Sequence, residues 1–213
     1  MTPNEVYNAV RQCYPDAEET SLCNLHSACS PRCKKVYMCG TGISTYPNLD
    51  FDKVKEDYVK SEGLPSCSSV DALAPSPSDR ALCFTELKSW EMVNRYNPTE
   101  RKRINMINRK ASEYKSDIPK KLTDSIEICK NAAGGSLHGI SLHLILVTDI
   151  DTTAGSEKAL ASNLNLLAGT AVKQTSDWRD LCNTLSNGIL NGITDVTTHY
   201  WRCTDFDAKI AKL

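Results

Sequence analysis

Ser69-Val70-Asp71-Ala72-Leu73-Ala74 and Arg80-Ala81-Leu82-Cys83-Phe84-Thr85-Glu86-Leu87-Lys88-Ser89-Trp90 flank the turn-rich segment Pro75-Ser76-Pro77-Ser78-Asp79. Two apolar runs around a cluster of Pro, Ser and Asp read as a β-hairpin. With Ser76 to Asp79 as the loop, Pro75 pairs with Arg80 and Asp71 lies opposite Phe84. Strand alternation then puts Phe84, Glu86 and Lys88 on one face, with Asp71 in diagonal reach. The turn controls this inference, because a one-residue change in the loop sends the side chains to opposite faces.

At the N-terminus, Thr2, Pro3 and Glu5 form the start of a helix with a Thr-x-x-Glu capping box, and Val6, Ala9, Val10 and Cys13 continue it as an apolar stripe. Tyr14 to Arg32 is polar and rich in cysteine. Lys35 to Cys39 reads as a short strand ended by Gly40, and Asp50 to Glu62 as a charged surface helix stopped by Gly63 and Pro65. After the hairpin comes a polar stretch, Asn94 to Ser116. A helix from about Pro119 to Ala133 carries Ile118, Leu122, Ile126, Cys129 and Ala133 on one side and ends at Gly134-Gly135. The unbroken apolar run Leu142 to Val147 marks a strand covered on both faces. A helix capped by Ser156 (with Leu160, Leu164 and Leu167), a helix from Asp177 to Ile193 and a strand from Thr197 to Cys203 complete the chain. This order predicts an α/β fold: a mixed central sheet flanked by helices in three layers, one domain over 1–213 with its core in about 1–150 and a C-terminal portion over 156–213.

Composition narrows the function. The 213 residues carry 25 basic and 26 acidic side chains and are 40% apolar, which excludes a disordered or fibrous chain and a surface coated in basic residues. Nowhere do 18 apolar residues run together, so no membrane span is expected. Met1 to Val6 has neither a charged nor an apolar leader region, so the ten cysteines are read as reduced thiols in a cytoplasmic setting. Gly-x-Ser-x-Gly, Gly-x-x-x-x-Gly-Lys-Ser/Thr and Gly-x-Gly-x-x-Gly are all missing from the sequence, which removes the serine-nucleophile and phosphate-loop classes.

What remains is the charged face of the hairpin. Glu-x-Lys alone says little, since Glu113-Tyr114-Lys115 has the same spacing in a polar stretch. At Glu86 the two charges interrupt an apolar strand, and Asp71 stands on the strand before it. Two carboxylates with the Leu87 carbonyl between Glu86 and Lys88 offer hard oxygen ligands for Mg²⁺ or Mn²⁺. Such an ion polarises a phosphate and activates water, while Lys88 orients or deprotonates that water or holds the phosphate. A solvent-facing ion pair on an edge strand would have the same spacing.

Asp71, a fourteen-residue gap and then Glu86-Leu87-Lys88 on an apolar strand resembles the PD-(D/E)XK nuclease superfamily, as does the order of elements over roughly residues 1 to 150. The resemblance implies a restriction-endonuclease-like core and a Mg-dependent endonuclease or phosphodiesterase. In that family pattern Asp71 and Glu86 are the metal ligands and Lys88 the third catalytic residue. The substrate it implies is nucleic acid, DNA before RNA, in restriction, repair or antiphage defence. Val70 stands where the motif has proline. Many members add a glutamate from the first helix, for which Glu5 is the candidate; its capping role is the competing reading. The alternative class is a non-catalytic nuclease-like scaffold that binds a protein partner or nucleic acid. A homo-oligomer or a partner such as an ATPase is expected, because little of the chain is left over to recognise a sequence.

Two secondary signals accompany this. Cys23, His26, Cys29 and Cys33 have the donor chemistry of a structural zinc site without the paired spacing of common zinc modules. The split cysteine pattern of iron–sulfur relatives is not seen. Cys67, Cys83, Cys129, Cys182 and Cys203 read as small buried apolar residues, and His143 as a satisfied core histidine. Thr99 to Lys121 holds Arg101, Lys102, Arg103, Arg109, Lys110, Lys115, Lys120 and Lys121 against Glu100, Glu113 and Asp117, a net of +5. That patch suits either a phosphate backbone or a solvated helical face.

Overall fold

The computed structural model describes residues 1–25, 44–97, 99–152 and 177–213. Six strands hydrogen-bond in chain order: β1 (Glu19–Ser21), β2 (Pro47–Asp50), β3 (Ala72–Pro75), β4 (Ala81–Lys88), β5 (Ser141–Thr148) and β6 (Thr197–Arg202). β1 to β4 form an antiparallel meander, whereas β5 runs parallel to β4 and β6 parallel to β5. A parallel neighbour needs a long crossover. Between β4 and β5 it is supplied by α3 (Trp90–Arg95) and the 33-residue α4 (Glu100–Ala132). The architecture is therefore α/β, a six-stranded mixed sheet flanked by helices.

The two faces of the sheet bury different side chains. On the first, Leu49, Leu73, Leu82, Phe84, Leu144 and Leu146 meet α1 (Pro3–Cys13), α2 (Phe51–Glu62), α4 and α5 (Trp178–Leu190). On the second, Ala72, Ala74, Cys83, Ile145 and Val147 meet Leu22, Leu25, Trp201 and the short C-terminal α6 (Phe206–Ile210). β4 alternates between them, with Leu82 and Phe84 toward the first and Cys83 and Leu87 toward the second.

Several expected elements stand where they were placed. Thr2 and Glu5 close the capping box of α1, Asp50 caps α2, left-handed Gly63 ends it, and Asp177 caps α5. β5 covers the apolar run and β6 the final strand. The basic stretch differs. It is the first half of α4, capped by Thr99, with Pro119 in the helix interior rather than at its start. Ile107, Ala111, Ile118, Leu122 and Ile128 form one continuous buried stripe, and that packing outweighs the missing proline N–H. The second hairpin strand ends at Lys88, and Ser89 turns to cap α3 by accepting from the Met92 amide. β1 and β2, of three and four residues, were not expected, being short and partly polar. The strand at 35–39 and the helix from Ser156 fall outside the described residues.

No helix among the described residues is long and apolar enough to cross a membrane.

Candidate functional site

The hairpin register differs from the sequence expectation by two residues. Leu73 pairs with Phe84 and Ala72 with Thr85, where the ladder ends, so Asp71, whose N–H bonds Thr85 O, stands beside Glu86 at the end of the hairpin rather than opposite Phe84. The loop shifts one position along the chain: Ser76 N–H donates to the Ala81 carbonyl at 2.8 Å, leaving Pro77 to Arg80 as the turn. Two local features set this. The Ser76 hydroxyl accepts from the amides of Arg80 and Ala81, and Asp79 takes a left-handed φ of 55°, which aspartate tolerates. Because the slip is even, side-chain parity is kept. Asp71, Glu86 and Lys88 share a face, more closely than expected.

That face is dry. Glu86 has no exposed surface, Asp71 is buried, and the Lys88 side chain is 15% exposed. β4 lies between β3 and β5, so the solvent-facing ion pair on an edge strand is excluded. The Lys88 ammonium donates to Glu86 Oε1, a very short contact, and sits 4.8 Å from the centre of the Tyr114 ring. Lys121 of α4 donates to the same Oε1 at 2.7 Å, with its Nζ 3.8 Å from Asp71 Oδ1. Asp71 Oδ2 accepts from the Leu87 N–H at 2.6 Å, where the β3–β4 ladder ends. Glu86 Oε2 is buried without a hydrogen-bond partner.

The backbone around Asp71 is pinned from three directions. Its N–H donates to Thr85 O at 3.0 Å and its carbonyl accepts from Phe51 N–H at 3.1 Å. From α4, Asp124 Oδ2 accepts from the Ser68 amide at 2.8 Å and the Ser125 hydroxyl from the Val70 amide at 3.0 Å. Just beyond the carboxyl end of β4, Asp149 accepts from the Ser89 hydroxyl and from the Trp90 amide at 2.9 Å, tying the end of β4 to that of β5. We expect Ser125→Ala to cost about 1–3 kcal/mol, because the buried Val70 N–H loses its acceptor. A urea midpoint unchanged from wild type would contradict this role.

Burial, and then the facing Glu86, push the Asp71 carboxyl up to about 7 despite Lys88, Lys121 and the Leu87 amide. Burial alone would depress the Lys88 ammonium, but Glu86 and Asp71 outweigh it and hold Lys88 above its ordinary value. The Asp71 shift has a consequence for stability. From its ordinary value of 3.8 up to about 7, Asp71 is ionised in the unfolded chain and protonated in the folded one. The folded state binds the extra proton, so this contribution to stability falls as pH rises through that window. Asp71→Asn is expected to flatten the slope there. Urea midpoints at several pH values would decide, and identical slopes in the two proteins would refute the assignment.

Glu5 does not join this face. Its side chain is 62% exposed, and the neighbouring Asn4 amide donates to Asp79 at the opposite end of the hairpin. Lys121 and Tyr114 were not singled out for the site. The available signal was periodicity: both lie on the α4 stripe of Ala111, Ile118, Leu122 and Ser125, where a lysine is out of place. Of the basic stretch, Arg101, Lys102, Lys115 and Lys120 are exposed, while Arg109 and Lys110 pair with Glu113. Of the four candidate zinc ligands, Cys23 is buried, and His26, Cys29 and Cys33 lie outside the described residues. Cys83, Cys129, Cys182 and Cys203 are buried thiols; Cys67 is half-buried. His143 is half-buried and satisfied by Ser141 and by His199, its Nδ1 2.9 Å from His199 Nε2.

The donor set fits a divalent cation on one observation: a buried carboxylate pair in which Glu86 Oε2 is left without a partner. Among the described residues no third acid, histidine or cysteine joins the pair. Comparison with protein-family models, with curated proteins and with solved structures finds no match to this chain.

Proposed function

We propose that the chain is a metal-dependent phosphodiesterase of restriction-endonuclease-like type acting on nucleic acid, DNA before RNA. The observation that carries this reading is the pair Asp71 and Glu86 at the end of the hairpin, both buried and both reached by the Lys121 ammonium, with Lys88 bonded to Glu86. Lone buried carboxylates are costly, and a facing pair is justified by a cation held between them. Asp71 and Glu86 would hold Mg²⁺ or Mn²⁺. The bound ion would supply positive charge at the scissile phosphate and lower the pKa of a coordinated water. Lys88, an ammonium, donates a hydrogen bond to a phosphate oxygen or to the attacking water and fixes it in line. Hydrolysis is one step: the water oxygen bonds to phosphorus as the bond to the leaving sugar oxygen breaks, the water giving up a proton to solvent and the leaving oxygen taking one up to become a hydroxyl. The exposed Arg101, Lys102, Lys115 and Lys120 give the helix behind the site a surface for the phosphate backbone.

The site lies at the carboxyl end of β4, beside its parallel neighbour β5, which is where open α/β sheets place ligands. Incubation with plasmid, linear DNA and RNA in Mg²⁺ or Mn²⁺ tests the reading against Asp71→Ala. Cleavage by wild type that Asp71→Ala abolishes is the expected result; equal activity in both removes it. A second reading has its own observation. Lys88 and Lys121 already neutralise the two acids, as they would in a nuclease-like scaffold that only binds. Salt-dependent nucleic-acid binding without cleavage in either metal would favour it.

A further inference from the structure

We propose that Lys121 is the internal counter-cation of this site: its ammonium stands in for the divalent ion between Asp71 and Glu86 and must leave before the ion can enter. The inference rests on the metal-site reading above and adds how that site is regulated. Among the described residues, Lys121 is the lysine that ion-pairs with both acids, at 2.7 Å from Glu86 Oε1 and 3.8 Å from Asp71 Oδ1. Lys88 ion-pairs with Glu86 alone.

The two lysines differ in their freedom to move. Lys88 springs from the central strand, is covered by Tyr114 and is 15% exposed. Lys121 reaches in from α4 with 26% of its side chain exposed, so rotation about its own stem takes the ammonium to water without disturbing the sheet. Charge requires such a departure. With both acids ionised, as metal binding needs, two carboxylates and two ammoniums are neutral together, and adding a divalent ion to that set would leave an excess of positive charge in a buried site. The lysine that occupies the bridging position is the one the ion displaces. The site is thus latched in the resting chain, and the metal concentration needed to open it is raised by competition with a tethered charge.

The experiment uses the full chain and Mn²⁺ as the probe, titrated at constant ionic strength and followed by loss of the free-ion electron paramagnetic resonance signal. Lys121→Gln and Lys121→Met are compared with wild type, each first shown to have a cooperative thermal transition. Removing the competing charge is expected to tighten Mn²⁺ binding roughly tenfold or more. A second measurement needs no variant. In wild type, brief acetylation read by mass spectrometry should modify Lys121 several-fold faster when Mn²⁺ is bound, with the neighbouring Lys120 unchanged. Wild type that binds Mn²⁺ as tightly as the Lys121 variants, or Lys121 labelling indifferent to Mn²⁺, overturns the counter-cation and leaves the metal site standing. No Mn²⁺ binding by any of the proteins overturns the metal site and the counter-cation with it.

Discussion

Glu86→Leu should lower stability by about 3–5 kcal/mol, the range for breaking a buried pair by removing one partner, seen as a lower urea midpoint at unchanged slope. Glu86 has no exposed surface and its Oε1 receives both Lys88 and Lys121. Without it, the Lys88 ammonium, 15% exposed, keeps the Tyr114 face and a repulsive neighbour in Lys121. The partly exposed Lys121 can turn to water, which places the expected loss toward the lower end of that range. The decisive comparison is a combined variant. Glu86→Leu with Lys88→Met replaces a buried ion pair by two apolar groups of similar size, which is often neutral. Much of the single-variant loss should return. Losses that simply add would show that the pair is not coupled, and the geometry described here would not be the source of the effect.

Lys88→Met should reduce cleavage by roughly 10²–10³-fold, the usual cost of deleting one preorganised donor to developing charge. It should do so in a protein that still folds, because Glu86 keeps its 2.7 Å contact with Lys121. The measurement is the single-turnover rate of plasmid nicking in saturating Mn²⁺, with the thermal transition as control. A rate within a few-fold of wild type would strip Lys88 of its role and favour a purely structural ion cluster.

The hairpin shows how far the sequence could be read. Alternation along Arg80 to Lys88 identified the face shared by Asp71, Glu86 and Lys88, since successive side chains of a strand point to opposite sides of the sheet. The register was missed by two residues because it depends on hydrogen bonds of the Ser76 hydroxyl and on the backbone angle of Asp79, which composition does not report. Pro119 misled for a related reason. As a first-turn residue it marks a helix start, yet here the buried stripe from Ile107 to Ile128 carries the helix through it. Lys121 was hidden by its company. In a run of basic residues it reads as one more surface charge, and only its phase with Ile118 and Ser125 separates it from Lys120.

The parallel crossover also orders events in time. Asp71 and Glu86 meet within one hairpin, a contact that forms in microseconds. The link from Ser89 to Asp149 joins positions 60 apart and closes a far longer loop that includes all of α4. On loop length alone, a refolding chain is expected to bring its two carboxylates together in water before α4 delivers Lys121. During that interval the acids repel one another and are open to small cations, so the early hairpin is sensitive to salt, to protons and to divalent ions in a way the finished sheet is not.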